Sequence, residues 1–173
     1  MVIDLFGLSE AEVRTRFPAV YQHLMDKVKP ERDANRDKDI RENWWLFGRT
    51  RSEIRPALAG LDRYIATVET MQHRMFMFLD AAILPDNRLI VFALDDAWFL
   101  AALSSCFHVV WSLATGGVLE DRPVYNSTVC YNPFPFPDPT EAQKARLRAR
   151  GEELDAHRKA QAAAQPLSRI HGG

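Results

Sequence analysis

The sequence predicts an α+β fold: a small mixed α/β domain, a short β-sheet packed with helices, flanked by N- and C-terminal helices. Three observations carry this. Short β-rich apolar runs cluster between residues 64 and 94. Helical periodicity with capping signals brackets them on both sides. A proline-rich stretch, Tyr125–Pro139 (YNSTVCYNPFPFPDP), separates this unit from the last helix. The expected division is 1–40 for an N-terminal helix and charged connector, 41–139 for the α/β domain, and 140–173 for a C-terminal helix and disordered tail.

In chain order, Ser9-Glu10-Ala11-Glu12 fits a capping box that starts a helix over 9–29. Pro18 argues for a break near Phe17, and Pro30 is expected to end the segment. Lys27–Arg41 then carries six basic and four acidic residues. It reads as a solvated connector, with a phosphate-contacting arm as the sharper alternative. Asn43–Phe47 restarts the core, and Ser52–Leu61 reads as a short helix. Tyr64–Val68, Met75–Leu79 and Leu89–Leu94 read as strands, with a turn at Pro85-Asp86-Asn87. Asp95-Asp96 opens a helix expected to run from Ala97 to Thr115, and Gly116-Gly117 ends it. Val118–Pro139 reads as irregular. Thr140–Gln143 starts a last helix through about Ala163, with a disordered tail beyond.

Composition removes several function classes. The 173 residues carry 22 Lys+Arg against 23 Asp+Glu, a net charge of −1, so any nucleic-acid binding needs a local face. Two cysteines make no disulfide framework. The most apolar stretch, Ala97–Ala114, holds three serines and a histidine and reads as a buried helix, not a membrane span. The N-terminus lacks a signal-peptide pattern, so a cytoplasmic location is expected.

Asn132-Pro133-Phe134-Pro135 raises the question of catalysis, because amino-methyltransferases place Asn/Asp-Pro-Pro-aromatic at the target base. Here the aromatic comes one residue early. No glycine-rich turn follows a strand to hold S-adenosylmethionine. The five histidines show no metal-ligand spacing, and Ser104, His108 and Asp96 lack a nucleophile elbow. No catalytic and no metal-binding residue is expected. A binding role suits the residues better. Arg49, Arg51 and Arg55 lie near Trp44-Trp45, Arg63 precedes a strand, and His73-Arg74 sit between two strands. Arg122, Tyr125, Asn126, Ser127 and Thr128 fall in an irregular segment, as phosphate contact and base-edge readout require. The plainer alternative is a solvated surface over an aromatic core.

Five motifs in order support a more specific reading: VKPERDANR (Val28–Arg36), WWLFGRTRSEIRPALAGLDRYIAT (Trp44–Thr67), HRMFMFLD (His73–Asp80), LSSCFHVVWSLATGGVLEDRPVYNST (Leu103–Thr128) and CYNPFPFP (Cys130–Pro137). With them, over roughly residues 2–150, the chain resembles the C-terminal part of MmeI-like restriction-modification enzymes and related adenine-specific DNA methyltransferases. The resemblance implies a target recognition domain that reads duplex DNA, followed by a helical segment. Such a chain is not an enzyme by itself. It has no cofactor of its own, S-adenosylmethionine being expected in a methyltransferase domain or subunit that partners it. The resemblance further implies base readout by Glu120, Arg122, Tyr125, Asn126 and Thr128, and phosphate contacts by Arg51, Arg63, His73 and Arg74. In this frame YNPFPFP is a proline-locked strap closing the domain. Departures from the pattern are Gln72-His73-Arg74 where relatives often carry Lys-His-Arg, Val124 where Arg is common, and Ala97-Trp98 after Asp95-Asp96. The alternative expectation is a docking module for a methyltransferase subunit, without DNA binding of its own.

Overall fold

The computed structural model describes residues 3–48 and 52–164. The chain forms two compact units, Met1–Pro56 and Ala57–Gly173. The expected disordered tail falls mostly on residues outside those described.

The first unit is built of short helices. α1 (Glu10–Arg16) opens with the expected capping box: the Ser9 N–H donates to Glu12 Oε2 at 2.8 Å, and the Glu12 N–H donates to Ser9 Oγ at 3.3 Å. The chain breaks at Phe17, as Pro18 requires, and α2 (Pro18–Lys27) follows. Pro30 does not end the segment. It occupies the first turn of a further helix, α3 (Lys29–Asp33), where its missing N–H costs nothing. The charged stretch is thus partly helical. Lys29 pairs with Asp33 at 2.8 Å, and Asp37 caps α4 (Lys38–Glu42) by accepting from the Asp39 N–H at 2.9 Å. Val13 and Trp44 form the centre of this unit, with the Tyr21 and Trp45 rings 5.7 and 6.1 Å from Trp44. Trp45 Nε1 donates to the Leu8 carbonyl at 3.0 Å. These tryptophans pack against protein.

α5 (Ile54–Leu58) leads into the second unit. There three antiparallel strands run in the order β2-β1-β3: β1 (Arg63–Val68), β2 (Met77–Asp80) and β3 (Leu89–Phe92). Ile65 stands opposite Phe78 on one side and Phe92 on the other. Four consecutive residues of β1 are buried, so both faces of the central strand are covered. The expected helix over 97–115 is two helices, α6 (Ala97–Leu103) and α7 (Cys106–Thr115), bent by 55°. The bend has a local cause. Ser105 leaves the helical conformation, donates to the Ala102 carbonyl at 2.7 Å, and caps α7 through the His108 N–H at 3.3 Å. Among the described residues no single helix is long and apolar enough to cross a membrane.

The segment expected to be irregular contains a β-hairpin, β4 (Gly117–Leu119) and β5 (Arg122–Val124), then one π-helical turn, Ser127–Tyr131. The proline-rich strap packs its rings inward, as expected: Phe136 lies 5.2 Å from Tyr131 and 4.9 Å from Phe134. α8 (Glu141–Ala164) returns along α6. Gly151 permits the close approach, since a Cβ there would lie 2.1 Å from the Ala97 carbonyl oxygen. Arg148 bonds both oxygens of Asp96 at 2.9 Å, and buried Asp155 accepts from the Phe78 N–H at 3.3 Å. Burial pushes the Asp96 carboxyl up, but Arg148 and the Trp98 N–H outweigh this and hold it below its ordinary range. The core gathers Ile65, Phe76, Phe78, Phe92, Leu100, Leu103, Tyr125 and Cys130.

Candidate nucleic-acid interface

The β4–β5 hairpin places three charged side chains at one exposed tip: Glu120, Asp121 and Arg122. Two residues turn the chain, and Glu120 adopts φ 58°, a left-handed conformation that costs a non-glycine residue about 1 kcal/mol or more. Arg122 bonds Glu120 Oε2 at 2.6 Å and lies 3.7 Å from Asp121 Oδ1. An exposed pair of this kind contributes only about 0–1 kcal/mol, so either partner can be exchanged for a ligand group at little cost.

The hairpin is anchored at its root. The Tyr125 N–H donates to the Glu69 carbonyl at 2.7 Å, the Met71 N–H donates to the Pro123 carbonyl at 3.3 Å, and Thr70 bridges to Val124. Gly116 lets α7 meet β5 closely, because a Cβ would stand 2.4 Å from the Val124 carbonyl oxygen and 2.7 Å from that of Ser112. This also settles what Gly116-Gly117 is. The pair follows a helix and is closed by β5, so it does not fit a cofactor loop.

The expected site residues do not form one surface. Glu120 and Arg122 share the hairpin tip. Asn126 and Thr128 are exposed just beyond it, but the Asn126 side chain is engaged, its Oδ1 accepting from the Thr128 N–H at 2.8 Å to start the π-helical turn. Tyr125 lies in the core, not on the surface expected of a base reader. It is 1 % exposed, with Phe76 at 5.6 Å and Phe92 at 6.1 Å. Its hydroxyl meets His108 Nε2 at 3.0 Å, and burial pushes its phenol well up.

Among the expected phosphate contacts, His73 is exposed. Arg51 lies outside the described residues. Arg63 grips both carboxylate oxygens of Glu152, at 2.9 and 2.5 Å, and its guanidinium lies 3.7 Å from the Phe78 ring centroid. Arg74 is half-buried and turned inward. One guanidinium nitrogen donates to Thr67 Oγ1 at 3.3 Å and to the Val68 carbonyl. The other donates to the Glu69 carbonyl at 3.3 Å and the Pro123 carbonyl at 3.1 Å. Burial lowers its pKa. Both arginines are committed to internal partners.

Two features escaped the sequence. His108 is fully buried on α7, walled by Phe134 at 4.5 Å and Phe136 at 6.1 Å, and its Nδ1 has no partner. Burial, with Arg74 adding to it, lowers its pKa to about 4. The second is the outer side of α7, where Phe107, Val110 and Leu113 are 79 %, 65 % and 48 % exposed. Their spacing of three is a signal visible in the sequence, but the expectation of a buried helix over Ala97–Ala114 does not separate this side from the other.

Phe134, the aromatic of the Asn-Pro-Phe-Pro motif, packs on His108 and lies 5.9 Å from Trp111. It does not face outward as a ring that stacks on a flipped base must. Among the described residues no cluster of His, Cys, Asp and Glu could hold a metal ion.

A family model described as MmeI, target recognition domain, matches residues 8–138. A solved structure, that of the Type IIL restriction-modification enzyme MmeI in complex with DNA, matches with a TM-score of 0.70 at 21% sequence identity. That likeness shows the fold. It covers 98% of this chain and 22% of the other, so the chain spans about a fifth of that polypeptide's length. No curated protein sequence matches the chain. The family match takes in the strands, the hairpin and the strap together, and the chain belongs to the MmeI target recognition domain family.

Proposed function

We propose that the chain reads a short base sequence in duplex DNA as the recognition part of a restriction-modification protein, and that the β4–β5 hairpin carries the readout. One observation supports this above the others. The hairpin presents Glu120 and Arg122 at a strained, exposed tip on a firmly held root. A carboxylate accepts from the cytosine amino group, and a guanidinium spans the two acceptors of guanine in the major groove. The weak pair between them is exchanged for these contacts. Asn126 holds the turn beyond the hairpin, and Thr128 adds an exposed hydroxyl. Tyr125 serves readout from beneath, as support. His73 and Arg51 remain the candidates for phosphate contact, whereas Arg63 and Arg74 act in the fold.

The chemistry belongs elsewhere in this reading. Transfer of a methyl group from S-adenosylmethionine falls to a methyltransferase domain or subunit, and this chain selects the site. With a net charge of −1 the chain makes few phosphate contacts, so non-specific affinity is weak, about 10⁻⁴–10⁻⁶ M at physiological salt.

The test is selection from a random duplex library at low salt and again at about 0.15 M. One short motif surviving the added salt is the expected result. Binding that vanishes with salt and enriches nothing overturns the reading.

The exposed apolar side of α7 favours a second role, docking of the methyltransferase part. Replacing Phe107 and Val110 by serine then abolishes association with that part and leaves motif selection intact.

A further inference from the structure

We propose that Arg74, Tyr125 and His108 are positioning residues for base readout: a buried clamp that fixes the angle of the β4–β5 hairpin without touching DNA. This rests on the recognition reading above.

Two strands of three residues each cannot hold a fixed direction alone. What orients them is the clamp. Arg74 joins the end of β1 to β5, donating to the Val68 and Glu69 carbonyls on one side and the Pro123 carbonyl on the other. Its guanidinium also lies 5.1 Å from the Tyr125 ring centroid. Tyr125, directly after β5, plunges into the core and ends on His108 of α7 at 3.0 Å. His108 is held in turn by the strap, through Phe134 and Phe136. Hairpin, sheet, helix and strap thus converge on three side chains.

The arrangement is not what stability alone would select. The Tyr125–His108 pair has two donors and one internal bond, and His108 Nδ1 has no partner. Either tautomer therefore leaves one polar hydrogen unmatched in the core, a destabilising arrangement. Arg74 Nε is likewise buried without a partner. Apolar side chains would fill the same space more favourably but could not set an angle. Readout by side chains tolerates little misplacement, which gives a directional clamp its use.

The experiment is library selection with the full chain, comparing wild type, Arg122→Ala, Tyr125→Phe, His108→Gln and His108→Phe. Tyr125→Phe removes one hydroxyl and keeps the ring. It is expected to flatten base preference roughly fivefold or more at the positions that Arg122→Ala flattens, a fraction of what one good base contact discriminates. Non-specific affinity and its salt dependence stay as in wild type. His108→Gln keeps a partner for the hydroxyl and retains the preference, and His108→Phe loses it. Weakening all sequences alike, or an unchanged preference in Tyr125→Phe beside a changed one in Arg122→Ala, overturns the clamp and leaves the recognition reading standing. A motif in wild type that Arg122→Ala leaves unaltered overturns the hairpin's role and the clamp with it. No motif in wild type overturns the recognition reading itself. Should Tyr125→Phe fail to fold, amide exchange in wild type decides: slow exchange at Tyr125 and Met71 is required, and fast exchange overturns the clamp.

Discussion

Acidification offers a direct test of the buried histidine. His108 is 0 % exposed, and burial, with Arg74 adding to it, lowers its pKa from 6.5 to about 4. In the unfolded chain the ring takes up a proton as pH falls through about 6.5, while in the fold it stays neutral until about 4. A depressed folded-state value means the contribution is fully present above 6.5 and is lost as pH falls toward 4. At about 1.4 kcal/mol per pH unit, the loss across that window is about 3 kcal/mol. For a unit of this size that corresponds to a fall of roughly 10 °C in melting temperature. The assay is thermal unfolding followed by near-ultraviolet circular dichroism, for wild type and His108→Gln, at several pH values between 6.5 and 4. The glutamine side chain cannot titrate, so the variant lacks this part of the slope. The remaining histidines and the carboxylates act in both proteins and cancel in the difference. Parallel slopes would refute the reasoning, for they would mean that His108 is as easily protonated inside the fold as outside it.

Three further outcomes follow from the same geometry. Arg74→Ala is expected to destabilise the chain by about 2 kcal/mol, because it strips donors from carbonyls at the hairpin root, whereas Arg122→Ala stays within about 0.5 kcal/mol and alters base preference; urea unfolding beside library selection checks both, and an equal loss of stability would contradict the inward placement of Arg74. Glu120→Gly relieves the left-handed backbone at φ 58° and is expected to stabilise by about 1 kcal/mol while weakening preference at one position, so a lower melting temperature would count against strain at the tip. Gly151→Ala puts a Cβ 2.1 Å from the Ala97 carbonyl oxygen and is expected to lower stability by about 1–3 kcal/mol; an unchanged melting temperature would deny the close approach of α6 and α8.

The elements most legible in the sequence are those whose signals are local. The Ser9 capping box, the break at Pro18 and the three β-rich runs need only neighbours within a few positions; the first two stand where the pattern puts them, and each run yields a strand, the second shifted to Met77–Asp80. Pro30 departs from the expectation because a proline closes one helix and opens the next equally well, and only its place in the first turn of α3 decides between them. The bend at Ser104-Ser105 is hard to read because the two serines sit between apolar segments that continue on either side. Serine is tolerated inside a buried helix, and the capping bond to the His108 N–H becomes visible only when the turn is seen. The hairpin lacked its usual mark. Glu120-Asp121 offers neither Asn-Gly nor Gly at the turn, and a glutamate in the left-handed region is a choice that no propensity favours.

The candidate site divides along the same line. Exposed residues at a loop tip, Glu120 and Arg122, can be guessed from polarity and from the family pattern, because exposure there is the default. The direction in which Tyr125 and Arg74 point cannot, since it depends on partners at other places in the chain: Tyr125 reaches His108, 17 residues back, and Arg74 reaches Pro123, 49 residues on. A tyrosine and an arginine beside short polar residues look like readers of DNA. Buried, the same two side chains support the root of the hairpin instead. The distinction bears on any change of specificity. Substitutions at the tip act on a weak, exchangeable pair and cost the fold little, whereas under the proposed clamp those that break the bonds of Arg74, Tyr125 or His108 shift the hairpin itself. New base preferences should therefore be sought at Glu120, Asp121 and Arg122 with the three residues beneath them left unchanged.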